Sequence, residues 1–137
     1  MATHRSTIKI KATAQKVFDV LTKPQLVKLW QFGKVLTTDW NAGSKIKFKT
    51  EYNGTVLEQW GTVLEIRPNE LIKYNLFTPR PDLEDRIENY CVTSYLISDD
   101  NGATRIELIQ EDNRQGGFVA QSLVRILELL KEVAETN

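Results

Sequence analysis

The chain has 137 residues, 41% hydrophobic, 9% aromatic and 26% charged, which is enough apolar material for one core in one domain. Lysine plus arginine is 18 and aspartate plus glutamate is 18, so the net charge is zero. A nucleic-acid binder that neutralises phosphates, or a polybasic membrane-surface protein, would carry a surplus of cations.

Taken in chain order, the N-terminal residues lack the apolar region of a signal peptide, and no later run approaches the roughly 18–20 apolar residues that span a bilayer. A cytoplasmic protein with no membrane span is expected. Residues 4–11 alternate, with Ile8 and Ile10 on one side and Lys9 and Lys11 on the other, which predicts a half-buried strand. His4, the one histidine, falls at its frayed start and is read as exposed. A two-histidine metal site is excluded. Thr13 suits the N-cap of a short helix with Val17, Phe18 and Leu21 on one face. Pro24 suits the first turn of a second short helix through Leu26, Leu29 and Trp30.

From Val35 to Glu111 the period is mostly two. Strands are expected near Lys45–Lys49, Thr55–Arg67, Leu71–Phe77, Ile87–Ser98 and Ala103–Glu111, with residues 78–86 as a loop. Asn53-Gly54 and Asp99-Asp100-Asn101-Gly102 are turn signals. A helical period then runs from Phe118 to Glu135 through Val119, Leu123, Ile126, Leu127, Leu130 and Val133. The order predicts an α+β domain, with a twisted antiparallel sheet wrapped around the last helix.

Turn chemistry decides which residues share a face. A three-residue loop at Asp100-Asn101-Gly102 places Tyr90, Val92, Ser94 and Leu96 on the concave face with Ile106, Leu108 and Gln110. At Asn53-Gly54 a two-residue turn puts Leu57, Gln59 and Val63 beside Phe48. A three-residue loop puts Glu58, Trp60 and Leu64 there instead. The second is preferred, because it buries Trp60, Leu64 and Ile66 together. The first has the merit of pairing Lys49 with Glu58.

The motifs Ile10-Lys11-Ala12, Val17-Phe18, Leu21-Thr22-Lys23-Pro24, Trp30, Ala42-Gly43 through Phe48, Gly61 through Pro68, Ala103 through Leu108 and Gly117-Phe118 recur in order over nearly the whole chain. In this the chain resembles the START-like, Bet v 1-like (SRPBCC) superfamily, in the branch of heat-shock-protein-90 ATPase activator homologues. It departs from the common pattern at Gln31, Ala42 and Phe118, where a second tryptophan, a glycine and a tryptophan are frequent. The resemblance implies a single helix-grip domain over residues 1–137. It also implies one of three activities: hydrophobic-ligand carriage, polyketide cyclisation or chaperone activation.

The preferred expectation is a small hydrophobic molecule held between sheet and C-terminal helix. Trp30, Phe48, Trp60, Tyr74, Tyr90, Val92, Leu108, Phe118, Leu123 and Leu127 would supply apolar surface, with Gln110 and the tyrosine hydroxyls orienting a polar end. A cavity filled by Trp60 and Tyr74 themselves would defeat that reading. A cyclase or hydrolase would need a desolvated carboxylate in the cavity, with Glu88 and Asp112 as weak candidates. A chaperone-partner domain rests on analogy. Cys91 excludes a disulfide and reads as inert, on the face away from the cavity. Asp82, Glu84 and Asp85 do not match a calcium loop. Lys45, Lys47 and Lys49 read as a solvated stripe. No metal or cofactor is expected, and monomer and homodimer are both allowed.

Overall fold

Strict alternation in the first nine described residues produces β1 (Ala2–Ile10), whose burial rises along the strand until Ile10 is fully enclosed. The computed structural model describes residues 2–112 and 120–136. Thr13 is the N-cap of α1 (Ala14–Thr22), its hydroxyl accepting from the Lys16 N–H at 3.1 Å. Pro24 opens α2 (Pro24–Trp30).

The end of α1 lacks a glycine cap, and two indoles serve it instead. Trp30 Nε1 donates to the Val20 carbonyl and Trp40 Nε1 to the Thr22 carbonyl, each at 2.9 Å. These are two of the carbonyls that a helix terminus leaves without an intrahelical partner. The tryptophans therefore fasten α1 to α2 and to the connection at residues 38–44.

Six strands follow: β2 (Val35–Thr37), β3 (Lys45–Tyr52), β4 (Thr55–Arg67), β5 (Leu71–Leu76), β6 (Cys91–Asp100) and β7 (Ala103–Asp112). They form an antiparallel meander that β1 completes beside β7, giving the order β1-β7-β6-β5-β4-β3-β2. The segment expected to begin β6 at Ile87 is a single 3-10 turn, Ile87–Asn89, so the connection from β5 is longer than the sequence suggested.

Both Asn-Gly hairpins use two-residue turns, and this corrects both preferred registers. Asn53 and Gly54 have φ of 50° and 78°, and Asn101 and Gly102 have 52° and 89°, as a type I′ turn requires. Tyr52 therefore pairs with Thr55, and Phe48 with Gln59. Asp100 pairs with Ala103, Tyr95 with Leu108 and Thr93 with Gln110. The inner face of β6 is Cys91, Thr93, Tyr95 and Ile97, whereas Val92 and Leu96 belong to the outer face. Trp60 also faces outward. The expected joint burial of Trp60, Leu64 and Ile66 fails, and a bulge between Val63 and Glu65 explains why. The extra residue, Leu64, is exposed, and the shift lets Val63 and Ile66 both reach the core although they are three apart.

The last helix, α3 (Ala120–Thr136), spans about 25 Å at 1.5 Å per residue. It packs on β1, α1 and α2. Leu123, Leu127, Leu130 and Val133 are buried, as the helical period predicts. Phe118 and Val119 lie outside the described residues.

Candidate functional site

Where the inner faces of β4–β7 meet α3, the core does not close completely. A cavity of about 60 Å³ remains, lined by Tyr74, Leu76, Cys91, Thr93, Tyr95, Gln110 and Ile126, with Gln31, Lys34, Gln59 and Thr78 at one end. Its interior is bonded largely to itself. Cys91 Sγ donates to Gln110 Oε1 at 2.7 Å. The phenols of Tyr74 and Tyr95 hydrogen-bond each other. Burial pushes both phenols well above their ordinary value, and for Tyr74 the neighbouring Tyr95 adds to it.

This has a testable consequence in alkali. An unfolded phenol ionises near 10.0, while the folded chain keeps its two buried protons beyond that pH. Above that pH the unfolded state binds fewer protons, so stability falls as pH rises, by up to about 1.4 kcal/mol per pH unit per phenol. Below it this contribution is fully present. Urea midpoints measured at about pH 9 and about pH 11 are expected to drop between the two, and Tyr95→Phe to flatten the drop. An unchanged slope in Tyr95→Phe would contradict the assignment.

At its open end the cavity is stoppered by a chain of hydrogen bonds. Lys34 Nζ donates to Gln59 Oε1 at 3.2 Å, and Gln59 Nε2 donates to Thr78 Oγ1 at 2.7 Å. The same three residues line a much larger open groove, about 770 Å³, with Thr50, Val56, Leu57, Glu58, Trp60 and Pro79. The groove exists because the first part of β4 has β3 on one side only. Strand β5 joins β4 through the Trp60–Phe77 bridge and from Val63 onward. Val56 and Leu57 are 48% and 58% exposed, a large apolar area left in water. Burial lowers the pKa of Lys34 from its ordinary 10.5.

On the outer face, the 78–90 connection is tied down through Asp85. Trp60 Nε1 donates to Asp85 Oδ2 at 3.0 Å, and the Tyr90 hydroxyl donates to Asp85 Oδ1 at 2.6 Å. Phe77 packs between the two rings, with centroids 5.6 Å from Trp60 and 5.5 Å from Tyr90. Asp85→Ala is expected to cost about 1 kcal/mol, the usual worth of such bonds at a surface. It is also expected to speed proteolysis between residues 78 and 90. Equal cleavage rates would show that Asp85 does not hold the loop.

The residues singled out from sequence therefore divide. Tyr74 and Gln110 line the cavity. Trp30, Phe48, Leu108, Leu123 and Leu127 are enclosed in the core, and Ile126 takes the cavity-facing place on α3. Trp60, Tyr90 and Val92 are on the outer face, where Trp60 still forms a groove wall. Glu88 is exposed and lies 3.7 Å from Arg86. Asp112 is buried two residues beyond Gln110 and does not line the cavity. Cys91 points inward, contrary to expectation, and His4 is half-buried opposite Gln110. The sequence reading passed over Lys34, Gln59, Thr78, Val56 and Leu57 as site residues. The Asn-Gly signal at 53–54, read as a two-residue turn, would have brought Leu57 and Gln59 to the inner face. Among the described residues there is no cluster of three or more metal-ligating side chains, and no helix is long and apolar enough to cross a membrane. Asp82 and Glu84 pair with Arg80 and Arg86.

A seven-stranded antiparallel sheet holding a C-terminal helix, with two short helices after its first strand, defines the helix-grip class. Within it, the chain belongs to the family of activator of Hsp90 ATPase homolog 1-like proteins, whose model matches residues 11–135. ChR145 from Cytophaga hutchinsonii is 28% identical with a TM-score of 0.82, over 96% of this chain and 92% of that one. The Aha1 dimer from Colwellia psychrerythraea is 18% identical with a TM-score of 0.75, over 99% of this chain and 98% of that one. DynU16, of the dynemicin biosynthetic locus, is 17% identical with a TM-score of 0.75, over 98% of this chain and 47% of that one. No curated protein matches.

Proposed function

We propose that this domain binds a small apolar molecule, and that the ligand lies in the groove along the first part of β4 rather than in the closed cavity. The observation that carries the reading is volume. The cavity of about 60 Å³ has room for a few water molecules, whereas the groove of about 770 Å³ lies within the range of small-molecule sites. Val56, Leu57, Trp60 and Pro79 give it an apolar wall, and Lys34, Thr50, Glu58, Gln59 and Thr78 supply polar groups that could orient a ligand. Tyr74 fills the cavity together with Tyr95, so the preferred sequence expectation shifts outward by one layer.

The cyclase or hydrolase reading has less support. Among the described residues lining either space, Glu58 is the one carboxylate, and it pairs with Lys47 at 3.4 Å. DynU16 shares the fold, which does not carry its chemistry across. A chaperone partner rests on the family's name and on no residue described above.

Native mass spectrometry of the gently purified chain tests the proposal. A non-covalent adduct lost on denaturation, and absent from Leu57→Asp, is the expected result. An adduct retained by Leu57→Asp would place the ligand elsewhere. A bare protein that also fails to take up a panel of apolar probes would overturn the reading.

A further inference from the structure

We propose that the ligand is an apolar monocarboxylate, whose tail lies along Val56, Leu57 and Trp60 and whose head meets the ammonium of Lys34. This deepens the preceding proposal and rests on the groove being the ligand site.

The argument starts from the position of Lys34. It sits in the short connection between α2 and β2, at the point where groove and cavity meet. Its side chain is drawn in from the surface to reach Gln59. That bond uses one of three ammonium protons and supplies no negative charge. Among the described residues no carboxylate lies within ion-pair distance of Lys34, although ion pairs are common elsewhere on this surface. Glu58, the acid nearest along the groove lining, is committed to Lys47 on the outer side.

A half-buried cation without a counter-ion is costly, and proteins normally pair such a group. Here Lys34 borders the apolar groove. A molecule that fills the groove and ends in a carboxylate satisfies both surfaces at once. An apolar alcohol or hydrocarbon satisfies only the walls. Among the described residues lining the groove Lys34 is the one cation, so the second negative charge of a phosphate monoester would go unpaired. A single carboxylate is therefore the matching head. Gln59 and Thr78 complete the head's surroundings. Gln59 gives one of its two amide protons to Thr78, whereas Lys34 keeps two ammonium protons beyond its bond to Gln59.

The probes are decanoate and decanol, which share a tail and differ in the head. They are titrated calorimetrically into the whole chain at neutral pH, below the micellar range. Decanoate is expected to bind about tenfold or more tightly than decanol, as a charge-assisted hydrogen bond allows. Lys34→Met is expected to remove that preference by weakening decanoate alone, and Lys34→Arg to keep it. The melting temperature of Lys34→Met should be no lower than the parent's, because that change removes a half-buried charge. Equal affinities for the two probes in the parent chain would overturn the carboxylate assignment and leave the groove reading standing. That ratio needs no variant to fold. A preference that survives Lys34→Met would overturn the role of Lys34. Failure of both probes to bind would overturn this inference and the groove reading together.

Discussion

Replacing Trp30 by alanine is expected to lower stability by about 3–5 kcal/mol, the usual cost of deleting a large buried aromatic. Trp30 is 1% exposed and stands edge-on to Tyr95, with ring centroids 6.1 Å apart. Removing it opens a hole between α2 and the sheet, beside the residues that bound the cavity. It also takes away the donor to the Val20 carbonyl at the end of α1. That helix has nine residues, too few to persist in water without tertiary support. Trp30→Phe separates the two effects. It keeps an aromatic ring and loses the hydrogen bond, so a cost of about 1–3 kcal/mol is expected. Urea denaturation of both variants measures this. A loss in Trp30→Ala below about 1.5 kcal/mol would mean that neighbouring side chains collapse into the space. An equal loss in the two variants would mean that the hydrogen bond carries the whole effect.

How much of this was legible in the sequence depends on whether local chemistry alone decides the outcome. Thr13, Pro24 and the stripe Leu123–Leu127–Leu130 obey local rules, and the structure follows them. The α+β order follows from the switch of period after Glu111. The faces of the sheet were harder. A register moved by one residue turns every side chain over. The preferred loops at 53–54 and 101–102 each carried that error. At 53–54 the three-residue loop has in its favour that it would bury Trp60, Leu64 and Ile66 together. The bulge at Leu64 removes the conflict, because Val63 and Ile66 reach the core without strict alternation. No residue type at 63–65 announces that bulge. The outward turn of Trp60 is explained by a partner 25 residues away, Asp85, whose approach depends on the path of the 78–90 connection. The site suffers most from this. Lys34, Gln59 and Thr78 come from three separate segments, and their meeting is a property of the folded sheet.

Gly61→Ala is expected to destabilise the fold by about 3 kcal/mol or more, combining overpacking with an unmade backbone hydrogen bond. The sign is the informative part. A glycine-to-alanine change at a position with ordinary φ usually stabilises by about 0.4–1 kcal/mol, by restricting the unfolded chain. At Gly61 the obstacle is space. A Cβ built there would overlap the backbone carbonyl of Asn75 and lie 2.7 Å from its side-chain oxygen. Strands β4 and β5 approach closely at this point because Asn75 reaches across. Its Oδ1 accepts the Thr62 N–H at 2.8 Å, where a backbone carbonyl would stand in a regular ladder. The Trp60–Phe77 bridge holds one side of the contact and the Val63–Tyr74 pair holds the other. Neither strand can withdraw without breaking one of these. The double variant Gly61→Ala, Asn75→Ala tests the cause. It removes the side-chain oxygen and leaves the carbonyl, so no rescue is expected. Full rescue would place the clash on the side chain alone. Asn75 lies between Tyr74 and Leu76 on β5, so any withdrawal also moves the cavity wall. Gly61→Ala should therefore shift the alkaline transition of the buried phenols along with the urea midpoint, whereas a stabilised protein would show that β5 yields freely.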